Sequence, residues 1–381
     1  MGKRGVVGFI VLVALVVAGC GSSSSSSSTS STSSASATTA SSGFDPKPFE
    51  EIEAKGAPPA AFPQLPAAPP VAKGKFVVNI TCSLAAEGCA EADRGAHAAA
   101  DALGWKLLTI DTAGDPAKIL SAFEQAKNLH ADGIMLNSLD PSQVKEPVAD
   151  ARKRGVPVVC MGCGILKSNV DPPKDSLNHE VISPGVLQGQ IEGAGLVLGT
   201  DGKARILVLS APEFASIRDR EQGAREVFAK CPDCEVAKTI KLTVADLATS
   251  LPAKIKAALQ ADPKINAIWV GFDAGAMVAN TAIEQLGKGD EVQVWSNDGL
   301  QQNLGVIKAG GPQKGSVTQP LRWKGWAVMD NLNRIFNGEQ PVEDDQIPAV
   351  LITKDNVDEW SDGKTGSLDY EAAYRKLWGI G

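Results

Sequence analysis

The sequence predicts an α/β protein built from two doubly wound parallel sheets. Three observations carry that expectation. Short apolar runs alternate with helix-period segments along most of the chain. The alternation breaks once, near 178–184, and then resumes. The part beyond residue 72, roughly 300 residues, is long enough for two domains with separate cores.

The first run of elements opens with Phe76-Val77-Val78-Asn79-Ile80, an apolar stretch that reads as a buried strand. A helix over 91–103 follows and stops at Gly104. A strand is predicted at 106–110. Asp115-Pro116 then opens a helix with Ile119, Leu120, Phe123, Ala126 and Leu129 at helical spacing. Strand 133–136, helix 143–154 and strand 156–160 complete the first half. The second half reads as helix 185–198, strand 205–209, helix 219–228, strand 236–240, helix 253–259, strand 267–270, helix 274–286 and strand 292–295. Strands that alternate with helices pair in parallel and are covered on both faces. Ligands in such folds bind outside the carboxyl ends of the strands.

The chain start points to export. Lys3 and Arg4 precede an apolar run from Val6 to Ala18, which has signal-peptide length and is short for a membrane span. Val17-Ala18-Gly19-Cys20 resembles a bacterial lipobox, which implies cleavage before Cys20 and its acylation. Ordinary secretion without Cys20 is the alternative. Residues 21–43 are almost entirely Ser, Thr, Ala and Gly, too poor in apolar surface to repay ordering. A Pro-rich stretch from Pro46 to Pro70 is expected to be stiff and extended. Residues 20–72 are therefore expected to act as a lipidated leash.

Composition narrows the function. A net charge of −7 with no basic stripe argues against nucleic acid as a partner. Only three histidines occur, and no second His follows His179-Glu180 at the spacing of a zinc helix. No Gly-x-Ser-x-Gly elbow and no phosphate-cradling Gly-rich loop ending in Gly-Lys-Ser/Thr is present. An enzyme is not expected, nor a cofactor.

Beyond Cys20 the cysteines form three near pairs: Cys82 with Cys89, Cys160 with Cys163, and Cys231 with Cys234. An oxidising compartment favours disulfides, and near-neighbour pairing is the economical choice among fifteen connectivities. A soft-metal or redox role for the pairs at strand ends remains an alternative.

Several segments resemble the type I periplasmic solute-binding proteins of the ribose- and galactose-binding kind, which serve ABC importers. They are 98–105, Asp132-Gly133-Ile134-Met135-Leu136-Asn137, Gly155-Val156-Pro157-Val158-Val159, Arg218-Asp219-Arg220-Glu221-Gln222-Gly223 and Gly315-Ser316-Val317-Thr318-Gln319. The resemblance implies two lobes joined by three crossovers, near Ile182, Gln319 and Val350, with solute held between them. It divides the chain into a signal peptide (1–19), the leash (20–72), an N-terminal lobe (73–182 plus 320–349) and a C-terminal lobe with tail (183–319 plus 350–381). It implies ligand contacts at Asn137, Arg220, Asp298 and Gln319, with Asp273 beside the pocket. Phe272 stands where the family usually has Asn, and Trp323 is a candidate aromatic wall. Gly162-Cys163 replaces the Asp-Arg pair of sugar binders, and the loop 82–89 replaces their stacking aromatics. The resemblance thus implies a small-molecule receptor for an ABC permease, monomeric and membrane-anchored by lipid. Its solute is sugar-like by default, and a less polar cyclic or aromatic compound competes. A sensory module for a membrane receptor, or a thiol- or metal-binding surface protein, is the alternative.

Overall fold

The computed structural model describes residues 44–164, 176–360, 365–366 and 368–381. The signal peptide, Cys20 and the Ser/Thr tract lie outside the described residues.

The first sheet is entirely parallel, in the order β2-β1-β3-β4-β5. Its strands are β1 (Phe76–Thr81), β2 (Lys106–Asp111), β3 (Gly133–Asn137), β4 (Val158–Met161) and β5 (His179–Val181). Helix α2 (Glu87–Leu103) joins β1 to β2, α3 (Pro116–Asn128) joins β2 to β3, and α4 (Pro141–Lys153) joins β3 to β4. Asp115 caps α3 by accepting from the Ala117 amide at 2.8 Å, and Gly104 ends α2 in the left-handed conformation. β5 falls in the stretch read from sequence as a break. It is only three residues long, too short for a period to show.

The second sheet has the order β11-β10-β9-β8-β6-β7, parallel except that β11 runs antiparallel to β10. Its strands are β6 (Arg205–Ser210), β7 (Glu235–Lys241), β8 (Ala267–Val270), β9 (Gln293–Asp298), β10 (Gln313–Thr318) and β11 (Val350–Thr353). Its helices are α5 (Gly185–Gly199), α6 (Ala215–Phe228), α7 (Leu251–Ala261), α8 (Asp273–Gln285) and α9 (Gln301–Lys308). The chain returns to the first sheet through α10 (Leu321–Phe336), which packs on α2. It passes between the sheets at 182–184, 319–320 and 337–349, beside the positions expected from the resemblance.

Two helix pairs approach at backbone contact, and each fixes one side of the cleft. A Cβ on Gly95 of α2 would lie 2.2 Å from the Arg322 carbonyl oxygen of α10. A Cβ on Gly189 of α5 would lie 1.8 Å from the carbonyl oxygen of Arg220 on α6. The glycines of α5 thus allow close packing, as their near-helical spacing suggests.

Both chain ends differ from expectation. The Pro-rich stretch is docked on the folded body, so the leash expected over 20–72 does not extend through it. Helix α1 (Lys47–Glu53) packs on α5 and buries Phe49. Phe62 stacks on Trp323 of α10 at 5.0 Å. Arg334 donates to the carbonyls of Pro66 and Ala67 at 2.8 and 3.0 Å, and the Trp105 indole donates to Ala72 at 2.6 Å. Proline lacks an N–H for a strand ladder, so these carbonyls are open to side-chain donors.

The resemblance places the tail whole with the C-terminal lobe. β11 and α11 (Val357–Trp360) do pack there, on β10 and α9. Helix α12 (Tyr370–Leu377) instead packs on α10 in the first core, where Trp378 stacks on Trp326 at 5.2 Å. Apolar surface decides the matter, because the broadest aromatic face open to Tyr370, Tyr374 and Trp378 lies on α10.

If the segment before β1 belongs to the folded body, Phe62→Ala destabilises the chain by about 2–4 kcal/mol through the lost stack on Trp323. Denaturant unfolding measures this. An unchanged midpoint would mean that the segment is not docked.

Candidate functional site

The carboxyl ends of both sheets face one cleft. Its apolar end is a cavity of about 130 Å³ walled by both lobes. Cys82, Ala85, Ala86 and Ser138 line it from the first lobe, and Phe214, Ile217, Arg220, Phe272 and Asp298 from the second. Gln319 and Leu321 line it at the crossover. The lobes approach closely here: a Cβ on Gly88 would lie 3.8 Å from Asp298 Oδ2. A wider chamber of about 460 Å³ shares Ser138, Ser216, Gln319 and Leu321 with this cavity and adds Glu180, Ser183, Gln188 and Lys324.

Arg220 is buried and its donors are aimed. Nε donates to Gln188 Oε1 at 3.2 Å, and Nη1 donates to the Gly271 carbonyl at 2.6 Å and to Asp298 Oδ1 at 3.1 Å. Nη2 has no partner among the described residues, which leaves one edge of the guanidinium for a solute. Asp298 Oδ1 also accepts from Gln319 Nε2 at 3.0 Å. Gln319 Oε1 in turn accepts from Ser183 Oγ at 3.1 Å and from Lys324 Nζ. A continuous polar chain, Arg220–Asp298–Gln319–Lys324, therefore runs from the second lobe through one crossover into the first, and Ser183 ties it to another.

The backbone at the site is unusual. Asp298 has φ 128° and Ser138 has φ 54°, conformations unfavourable to residues with a Cβ. Each stands at the end of a strand, β9 and β3, and both line the cavity. Strain of this kind costs about 1–3 kcal/mol and gathers where a ligand is gripped.

Buried charge behind the cleft is tuned. Burial, then the nearby Arg220, lowers the Lys324 ammonium to about 7, against the pull of Asp298 and Glu180. Burial, then Asp298, raises the Asp273 carboxyl, although its hydrogen bonds oppose this. Glu192, one turn beyond Gln188 on α5, is fully buried, and neither carboxyl oxygen has a hydrogen-bond partner. Burial holds it well above the usual carboxylate range. Arg220 pulls it down, and Asp273 and Asp298 push it up further. The Trp269 indole lowers it a little, yet neither group meets hydrogen-bond geometry.

Four residues expected from the sequence, Arg220, Asp298, Gln319 and Phe272, meet at the cavity. Three others, Asn137, Asp273 and Trp323, do not line it. Asn137 is fully buried and its Nδ2 donates to Thr81 Oγ1 and to the Cys89 carbonyl, both at 2.9 Å, so it secures the loop after β1. Asp273 is fully buried beneath Asp298 and accepts from Leu300 N at 2.6 Å, Ser316 Oγ at 2.9 Å and Ser296 Oγ. Trp323 lies between Phe62 and Tyr370 in the aromatic core. Gln188, Ser183, Lys324 and Glu192 were missed. Gln188 and Glu192 share a face of the glycine-rich helix at i, i+4, and Lys324 stands between two tryptophans. Polar residues on such faces are the available signal.

The structure joins the cysteines as Cys82–Cys89, Cys160–Cys163 and Cys231–Cys234. The first bridge closes the loop on the cleft, the second lies buried beneath Gly162, and the third joins α6 to β7 away from the cleft. No group of three or more potential metal ligands gathers among the described residues.

Two α/β lobes joined by three crossovers, with a cavity between them and a polar chain at one crossover, have the architecture of a protein that binds a small molecule. The sequence pattern of the periplasmic binding protein domain matches residues 80–340. The ribose import binding protein of Haemophilus influenzae is 26% identical over 247 residues, 65% of this chain and 80% of that protein. The D-allose-binding periplasmic protein of Escherichia coli is 27% identical over 212 residues, 54% of this chain and 66% of that protein. The fold is similar to a sugar ABC transporter protein from Yersinia enterocolitica, with TM-score 0.69 and 20% identity over 81% of this chain and 95% of that one. It is also similar to the 5-methylthioribose transporter solute-binding protein of Thermotoga lettingae, with TM-score 0.66 and 20% identity over 80% of this chain and 94% of that one. The chain belongs to the periplasmic binding protein domain family, whose members are substrate-binding receptors of ABC transporters and not enzymes.

Glu192 supplies a pH test. Above the ordinary Glu pKa of about 4.3 the unfolded chain loses this proton while the folded chain keeps it. Its contribution to stability therefore falls as pH rises from there toward the raised folded value. Lys324 acts oppositely: between about 7 and 10 the unfolded chain holds the proton that the folded chain has released, so its contribution rises with pH. Comparing variants isolates one group. Glu192→Gln is expected to gain stability over the parent on the order of 1 kcal/mol or more at pH 8, with the gain shrinking toward pH 5. A gain independent of pH in urea melts would refute the neutral acid.

Proposed function

We propose that this protein is the extracytoplasmic solute receptor of an ABC importer, held to the membrane by acylated Cys20 and acting as a monomer. The observation that carries the reading is the polar chain from Arg220 to Lys324, whose members Arg220, Asp298 and Gln319 line a cavity walled by both lobes. The N-terminal lobe comprises the first sheet with α10 and α12, and the C-terminal lobe comprises the second sheet. A solute that bridges them shifts the population toward the closed arrangement, which docks on the permease.

Arg220 and Asp298 serve the solute from the second lobe, Gln319 from the crossover, and Phe272 packs against it. The solute is a small sugar-like molecule or a less polar cyclic one. The mostly apolar lining of the inner cavity supports the second class.

A thermal-shift screen across sugars, cyclitols, nucleosides and aromatic acids tests the reading. A solute at a hundred times its Kd stabilises the fold by about 2.7 kcal/mol. Arg220→Ala is expected to weaken the best hit by about 1.5–3 kcal/mol in calorimetry, the range for a hydrogen bond to a charged group. Unchanged affinity would remove Arg220 from the site. Cys20→Ala is expected to release the protein from the membrane fraction, and retention there would refute the lipid anchor.

A further inference from the structure

The two lobes do not offer equivalent surfaces to the inner cavity. From the second lobe come the free edge of Arg220, the carboxylate of Asp298 and Ser216, flanked by Phe214, Ile217, Val244, Leu247 and Phe272. The first lobe offers the disulfide-closed loop, where Ala85, Ala86 and Gly88 stand in place of polar or aromatic side chains. Its polar side chains at the cavity are Ser138, which donates to Asn137 Oδ1 at 3.3 Å, and Glu87, which is paired with Arg94. Asn137 itself is turned away.

The charged groups that line the inner cavity are paired within the protein. Arg220 is paired with Asp298 at 3.1 Å, and Lys324 is bonded to Gln319 at the crossover. A carboxylate on the solute would meet Asp298 as well as Arg220, placing two anions against one guanidinium in a desolvated cleft. A hydroxyl meets no such conflict: it accepts from Arg220 Nη2 and donates to Asp298.

A free aldose presents hydroxyls around its whole rim. Those facing Phe214, Phe272, Leu247 and the alanine loop would be desolvated without partners. We propose that the solute is an uncharged polyol with one hydroxylated edge and one apolar end, such as an alkyl- or thioalkyl-substituted sugar, rather than a free aldose or a sugar acid. The hydroxylated edge lies on Arg220, Asp298 and Gln319, and the apolar end lies between Phe272, Phe214 and the 82–89 loop. This rests on the receptor reading above and specifies its solute.

Calorimetry on the full chain with D-ribose, D-allose, myo-inositol, 5-methylthioribose and D-ribonate tests it. 5-Methylthioribose is expected to bind at least about tenfold more tightly than D-ribose, since one buried apolar group changes affinity about 10–200-fold. D-Ribonate is expected to bind most weakly. Phe272→Ala should shrink the preference for the methylthio sugar, and Phe214→Ser, at a half-buried position, gives the same readout if the first variant does not fold. Equal or tighter binding of any free polyol, or tightest binding of D-ribonate, overturns the inference and leaves the receptor reading standing. Binding of none of the five, with no hit in the wider solute screen, counts against both.

Discussion

The ion pair between Arg220 and Asp298 organises this molecule, because it is the point where second-lobe packing, a strained strand end and a crossover meet. Gln188 and the Gly271 carbonyl hold the guanidinium from behind, and Gln319 holds the carboxylate from the side. Removing either partner would strand a charge in a desolvated site, which costs far more than the pair contributes. The pair is a poor device for stability and a good one for holding both groups in one arrangement at the cavity wall. Gln319 and Lys324 then connect that geometry to the crossover between the lobes.

Outside the family domain, both ends of the chain lie across this arrangement. The segment before β1 touches α5 in one lobe and α10 in the other. The tail leaves β11 and α11 in the second lobe and ends as α12 on α10. Phe62 and Tyr374 meet edge to face at 5.3 Å, so the two ends also touch each other. The same helix that begins at the crossover thus carries an aromatic core supplied by residues remote in sequence.

Much of the fold was legible because buried parallel strands are nearly continuous apolar runs. Asn79 and Asn137 did not hide β1 and β3, whose runs Phe76-Val77-Val78 and Ile134-Met135-Leu136 are apolar. The site was legible in part. Arg220 and Asp298 were expected through the resemblance, and both line the cavity, Arg220 from the second turn of α6 and Asp298 from the end of β9. Asn137 also stands at a strand end, but sequence does not say which way a side chain turns, and it donates to the Cys89 carbonyl in the first turn of α2. Trp323 was misread because its partners, Phe62 and Tyr370, lie in segments whose docking no local pattern reveals. The Pro-rich stretch was read by composition as free, whereas its open carbonyls suit the donors of Arg334, Asn333 and Asn337. Glu192 escaped notice because an acidic residue on a helix is ordinarily a solvated one.

The most direct measurement is a crystal structure of the full chain with the tightest-binding solute from a screen. The account predicts solute density within hydrogen-bond distance of Arg220 Nη2 and Asp298, against Phe272 on one side and the 82–89 loop on the other, with the Arg220–Asp298 pair intact. Density confined to the wider chamber beside Glu180 and Lys324, with the Arg220 edge untouched, would contradict it.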